Sequence, residues 1–304
     1  MSFPVKSLSE NPHFTSASTS QAEQLSFADS FNATMERIRE KSEERIRTAP
    51  RCAVCGESIF ADEPLGAADS EQWTLYNATH ERLCIKHFRV EFEKIKLDRR
   101  LQDADSRLIG AGVSEEFSTR SFDNFMVTDS NRRFFSTVKS WSENPSSFLS
   151  VFSKFTGIGK THLAIASLRQ HYISTGILGR FKKERDILLE IQKGYGRPGA
   201  VTESDMIELL SKPEFLVFDD LFSSTESKER IQFARRIALA VTDEREWQGR
   251  TTVITGNLTL SEIATIDPRI SSRLSAGLVL NIQTVDQDFR PTLHKQKTKS
   301  ESNE

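Results

Sequence analysis

The chain is poor in cysteine, close to neutral, and without a long apolar run, and each absence narrows what it can be. Three cysteines in 304 residues are too few, and odd in number, for a disulfide framework. All three fall between Cys52 and Cys84, which points to metal ligation in a reducing compartment. With 41 basic and 43 acidic residues the formal net charge is −2, so any nucleic-acid contact must come from a local basic patch and not from a global field. No stretch is long and apolar enough to span a bilayer, and the opening MSFPVKSLSENPHFTSASTS has no hydrophobic signal core. A cytoplasmic protein with no membrane partner is expected. The 37% hydrophobic content suffices for one substantial α/β domain and a smaller module, with room for disordered ends.

What is present centres on Phe148 to Ala166, FLSVFSKFTGIGKTHLAIA, which reads as a buried strand, a phosphate-gripping loop and the start of a helix. Small residues let backbone N–H groups approach phosphate oxygens, and the positive end of the helix faces the same point. The candidate nucleotide-binding residues are Thr156, Gly157, Ile158, Gly159, Lys160, Thr161 and His162. Lys160 is placed to reach the β- and γ-phosphates of ATP, and Thr161 to ligate Mg²⁺. A full phosphate-loop pattern has glycine five residues before Gly159, where this chain has Lys154. A left-handed backbone at Lys154 would cost about 1–2 kcal/mol. The loop's tail alone is open to a plainer reading, a chance Gly-x-Gly-Lys-Thr.

A second signal supports the first. Phe215-Leu216-Val217-Phe218-Asp219-Asp220 is a continuous apolar strand ending in two acids, the pattern of a central strand in a covered parallel sheet. Asp219 is expected to hold Mg²⁺ through water, and Asp220 to polarise the attacking water. The strand Thr251 to Thr255 ends at Gly256-Asn257, and Asn257 is assigned to orient that water. In Asp267 to Leu274, Arg269 and Arg273 share one helix face with no nearby acid but Asp267, placed to reach a neighbouring subunit's γ-phosphate; surface salt bridging is the alternative. Phe122 and Phe125 bracket Asp123-Asn124, and either pack a nucleotide base or are plain core.

In chain order, residues 1–30 are polar and expected to be disordered. Residues 31–50 form a charged helix with a thin apolar stripe of Phe31, Met35, Ile38 and Ile46. Residues 51–90 hold Cys52-x-x-Cys55 and Cys84-x-x-His87, with 28 residues between the pairs. Two x₂ pairs are what one tetrahedral Zn²⁺ requires, and a closed four-ligand site is structural; His80 or water in place of His87, or free cysteines, are the alternatives. Trp73 and Leu75 alternate as in a short strand, and 91–110 is a linker helix that breaks at Gly110-Ala111-Gly112. The main domain spans 111–291, and a flexible basic tail 292–304. Inside it, Ile177 to Lys183 forms a second strand and Glu184 to Lys212 two amphipathic helices. Lys182, Lys183, Arg185, Lys193 and Arg197, with Tyr195, make the best basic and aromatic cluster, a candidate for single-stranded DNA or else a solvated face.

This order of parts resembles the DnaC/IstB-like branch of AAA+ ATPases over about Val113 to Arg290. The resemblance rests on Ser121-Phe122-Asp123-Asn124-Phe125, Gly157 to Ala164, Asp219-Asp220-Leu221, Thr255-Gly256-Asn257-Leu258, Arg269 to Leu274 and Asp288-Phe289-Arg290. It implies an α/β fold: an AAA+ P-loop NTPase domain, a parallel sheet covered by helices, behind a small zinc-binding module and linker helix like that of phage and prophage DnaC-like proteins. It also implies ATP hydrolysis that is weak without an oligomer or partner, Arg273 as arginine finger with Arg269 as helper, and single-stranded DNA contact by the Glu184 to Lys212 helices. The implied partners are a replicative hexameric helicase, to be loaded onto single-stranded DNA, and further copies of the chain. A transposase partner, as in IstB-like relatives, or a zinc-stabilised helicase adaptor with little turnover are the rival expectations. The sequence departs from the pattern at Lys154, at Gly256 where a small hydroxyl residue is usual, and at Phe222 where glycine is common.

Overall fold

The computed structural model describes residues 21–59, 82–194, 199, 201–223 and 227–282. The tail before 21, the strand expected at Trp73 and Leu75, His80, Tyr195, Arg197, the Asp288-Phe289-Arg290 motif and the basic tail lie outside the described residues. The chain divides into two compact units, Met1–Glu93 and Lys94–Glu304.

The first unit opens with α1 (Gln21–Thr48), which starts about ten residues earlier than the sequence pattern placed it and takes in the end of the stretch expected to be disordered. Met35, Ile38 and Ile46 are exposed along it, as on a solvated helix. A knuckle at Cys52–Ile59 and the start of α2 (Ile85–Gly110) share a small apolar cluster of Ile59, Leu83 and Phe88, with the Phe92 ring stacked on Phe88.

The boundary between units falls inside α2. Its later part is no free spacer: Ala104 and Leu108 are fully buried, Arg100 donates to the carbonyls of Ile173 and Ser174, and Tyr172 donates to Asp103 at 2.7 Å. The second unit therefore begins near Lys94, where the linker helix was expected to continue to 110.

That unit is built on a five-stranded parallel sheet in the order β2-β3-β4-β1-β5. The strands are β1 (Phe148–Phe152), β2 (Arg180–Lys183), β3 (Phe215–Leu221), β4 (Thr251–Gly256) and β5 (Leu278–Asn281). Because side chains alternate along a strand, Phe148, Phe152, Leu216, Phe218 and Ile254 enter one core while Leu149, Val151, Phe215, Val217 and Val253 enter the other. The second core is closed by α2, α3 (Glu115–Ser118), α4 (Arg132–Glu143) and α5 (Lys160–Thr175). The first is closed by α6 (Glu184–Gly194), α7 (Glu203–Ser211), α8 (Lys228–Trp247), α9 (Leu260–Ile266) and α10 (Pro268–Leu274). With β4 between β1 and β3, three adjacent strands end side by side, carrying the phosphate loop, the acid pair and Asn257.

Candidate nucleotide site and metal centre

The loop from β1 into α5 turns through Gly157 (φ 72°) and Gly159 (φ 94°), both left-handed. A Cβ on Gly159 would stand 2.4 Å from Phe125 Cε2, so close packing as well as conformation requires glycine there. Lys154 does not take the left-handed backbone feared for it: the non-glycine residues at positive φ, among those described, are Ser147, Asp220 and Phe222. Its side chain pairs with Glu262 of α9 at 2.8 Å, and that lysine is the main cause holding Glu262 down at about 2. Lys160 Nζ, nearly buried, donates to the carbonyls of Ser153 (3.1 Å) and Phe155 (2.8 Å) at the mouth of the loop.

Asp219 is wholly buried and accepts from Thr161 Oγ1 at 2.9 and 3.2 Å and from Thr255 Oγ1 at 2.6 Å. Burial pushes its carboxyl up to about 6 against those two hydroxyls. Thr255 also accepts from the Asp220 N–H at 3.0 Å, so one hydroxyl binds both acids to β4. Thr255, named in sequence only as the end of its strand and part of the Thr255-Gly256-Asn257-Leu258 motif, was given no role; a hydroxyl at the strand end, beside an acid-tipped neighbour, was the available signal.

The β3–β4 register shifts between Phe218 and Leu221, and Asp220 within this irregularity has φ 57°. Asp219 thus faces Thr161 while Asp220 faces the cleft. Phe222 is also left-handed at φ 57°, which explains why glycine suits this position. The backbone cost of about 1–2 kcal/mol is matched by burying the ring, about 1.5–3 kcal/mol, since Phe222 is 2% exposed.

A cleft of about 660 Å³ is lined by Thr156 to His162, Lys183, Asp220 and Asn257 together with Phe117, Arg120, Asn124, Phe125 and Met126 from the segment before α4. Phe122 and Phe125 part ways: Phe122 is buried core, whereas Phe125 borders the cleft, stacked on Phe135 and edge-on to His162. His162 Nε2–H donates to the Ser121 carbonyl at 2.8 Å, and burial lowers its pKa to about 4, keeping the ring neutral. Arg120 and Lys183 both lie over the Phe117 ring, at 5.4 and 5.5 Å.

One expectation needs correction. Arg273 is not without acids: it pairs with Asp243 and Glu246 on α8, residues too distant in sequence to be foreseen. Arg269 pairs with Asp267, which is 1% exposed and also holds Arg235. Of the basic cluster's described members, Lys182 pairs with Glu190 of α6, Lys183 borders the cleft, and Arg185 and Lys193 stand exposed on α6.

In the first unit, the ligand atoms of Cys52, Cys55, Cys84 and His87 lie within 4.8 Å of one another. Cys55 Sγ and Cys84 Sγ are 3.8 Å apart, and His87 Nδ1 is 3.2 Å from Cys84 Sγ and 3.6 Å from Cys52 Sγ. Tetrahedral Zn²⁺ with Zn–S near 2.3 Å sets sulfurs about 3.7 Å apart, so the donor set fits that ion. Gly56 at φ 72° closes the first turn, with its N–H on the Cys52 carbonyl.

A Gly-Ile-Gly-Lys-Thr loop thus joins a parallel strand to a helix, with an acid pair at the end of the second strand over, the layout of a P-loop fold. In sequence the chain is similar to the chromosomal replication initiator protein DnaA of Acholeplasma laidlawii, 25% identical over 185 residues, which are 60% of this chain and 40% of that protein. It is also similar to the replicative helicase loader DnaC of Buchnera aphidicola subsp. Acyrthosiphon pisum, 27% identical over 158 residues, 50% of this chain and 61% of the relative. The chain thus spans two fifths of the one relative and three fifths of the other. A crystal structure of the DnaC helicase loader superposes with a TM-score of 0.46 at 20% identity, over 57% of this chain and 100% of that one. No family model matches the chain. Among the described residues no helix is long and apolar enough to cross a membrane.

Proposed function

We propose that this is a cytoplasmic, ATP-dependent DNA replication protein that binds a replicative hexameric helicase and loads it onto single-stranded DNA. The observation that carries the reading is the hydrogen bond from Thr161 to buried Asp219 beside Lys160, the arrangement needed for Mg²⁺ between a hydroxyl and an acid at the phosphate end of the cleft. Similarity to a relative named as a helicase loader supports the choice of partner.

In this reading Lys160 and the loop N–H groups bind the phosphates of ATP, Thr161 and Asp219 hold Mg²⁺, and Asp220 and Asn257 orient the attacking water. Phe125, with neutral His162 behind it, forms an apolar wall for the base. Arg273, helped by Arg269, serves a neighbouring copy's nucleotide, and Arg185 and Lys193 of α6 contact single-stranded DNA. Cys52, Cys55, Cys84 and His87 hold structural Zn²⁺ in the module that meets the helicase.

Titration of ATP–Mg²⁺ against the protein and its Lys160→Ala variant tests the carrying observation. Binding is expected to be lost in the variant; equal binding overturns the site. The pairing of Arg273 with its own subunit's Asp243 and Glu246 favours one second reading, a helicase adaptor with little turnover. A turnover rate that stays flat as protein, helicase and DNA concentrations rise would support the adaptor.

A further inference from the structure

Glu184 is the first residue of α6, directly after β2, and an acid at a helix start is ordinarily a solvated group. Here it is 2% exposed. Its side chain turns inward to the bend after β3, where Oε2 accepts from the backbone N–H of Phe222; the following N–H, of Ser223, donates to the Asp220 carbonyl at 3.1 Å. Oε1 has no hydrogen-bond partner. Burying a carboxylate with one oxygen unmatched is unfavourable, and burial raises this one to about 7, with the Asp220 charge adding and the Phe222 N–H opposing. Such a group persists where the surrounding structure depends on it.

The segment it grips is the irregular end of β3. The register shift takes Asp219 and Asp220 out of the regular ladder with β4, and Asp220 and Phe222 both stand at φ 57°. Two left-handed non-glycine residues in three positions need fixed points on both sides. On one side the Thr255 hydroxyl takes the Asp220 N–H; on the other, Glu184 takes the Phe222 N–H. Glu184 itself does not line the cleft, whereas Asp220 does.

We propose that Glu184 is a positioning residue for Asp220, fixing the turn after β3 so that the Asp220 carboxylate faces the cleft and mechanically tying α6 to the nucleotide site. This rests on the reading that Asp220 orients the attacking water. Because the gripping side chain belongs to the first turn of α6, whatever displaces that helix pulls on the Phe222 N–H and moves Asp220.

The test compares full-length wild type with Glu184→Ala, Glu184→Asp and Glu184→Gln by amide hydrogen exchange and by ATP turnover in the presence of helicase and single-stranded DNA. Asp is one methylene too short to reach Phe222; Gln keeps a carbonyl acceptor at the same reach. In the Ala and Asp variants, exchange at Phe222 is expected to rise about tenfold or more while β1 and β4 stay protected. Turnover should fall about tenfold or more with the KM for ATP within about twofold, the pattern of a misplaced group and not of lost binding. Gln should recover most of both. Unchanged exchange at Phe222, or kcat and KM failing together, overturns the proposal. If Ala fails to fold, the Asp and Gln pair decides. Absence of turnover in the wild type would reject the ATPase reading, and exchange at Phe222 would still decide whether Glu184 holds the turn.

Discussion

At the residue scale, the chemistry at the strand ends depends on groups of unequal visibility in sequence. Lys160, Thr161 and Asp219 stand out because their spacing is set by what a phosphate and a divalent cation need. Thr255 does not, since a threonine inside a β-branched strand is unremarkable until the neighbouring strand is in place. Thr255→Val keeps the shape but removes the hydroxyl shared by Asp219 and the Asp220 N–H. Stability should fall by about 1–3 kcal/mol, the cost of leaving buried polar groups unmatched, and Mg²⁺-dependent nucleotide affinity should weaken. Denaturant melts and ATP titrations with and without Mg²⁺ measure these; a Val variant equal to wild type in both would remove Thr255 from the site. Lys154 and Phe222 carry the opposite lesson. Both are departures from pattern, but the first occupies an ordinary backbone conformation and the second keeps the left-handed one by burying its ring.

At the element scale, the strands and the α6–α7 pair were legible from apolar runs and breaks, while the partners of charged groups far apart in sequence were not. The sequence places Ile231, Ala234, Ile237, Ala238 and Val241 on the inner face of α8; all are buried but Ile231, which is half-buried, and the face also contains Arg245, wholly buried. Arg245 donates to the carbonyls of Leu210, Ser211, Pro213 and Thr251 and to the Thr252 hydroxyl, closing the C-terminal end of α7 and the starts of β3 and β4. Helix ends leave carbonyls unmatched, and one guanidinium satisfies several here. Arg245→Met should cost about 1–3 kcal/mol or more by leaving these buried acceptors unmatched; a shift under about 1 kcal/mol in a urea melt would show that water replaces the guanidinium. The contact of α10 with α8 suits a different test. Freeing Arg273 by Asp243→Asn with Glu246→Gln should raise turnover at a given protein concentration if Arg273 acts in trans, and leave nucleotide affinity unchanged. Lowered turnover would show that the acids instead hold Arg273 in its working position.

At the scale of the whole molecule, two units carry separate apolar clusters and separate chemistry. The grouping of Cys52, Cys55, Cys84 and His87 was legible because all three cysteines of the chain fall in two x₂ pairs. The boundary at Lys94 was not, because α2 continues through it and only burial of Ala104 and Leu108 marks the change. Among its described residues the first unit buries few apolar side chains, so metal should dominate the stability of this part; structural Zn²⁺ contributes about 10–16 kcal/mol of apparent binding in small fingers. Chelation is expected to release about one Zn²⁺ per chain and to abolish amide protection at 52–59 and 82–88 while the sheet stays protected. Protection unchanged after complete chelation would contradict the ligand assignment.

The most direct test of the central claim is native mass spectrometry of the protein mixed with its host's replicative helicase, with ATP–Mg²⁺, without nucleotide, and with Lys160→Ala in place of the wild type. The account predicts a defined complex with the helicase hexamer in ATP–Mg²⁺ that is diminished without nucleotide and in the variant. No complex in any state, or one indifferent to both nucleotide and Lys160, would contradict it.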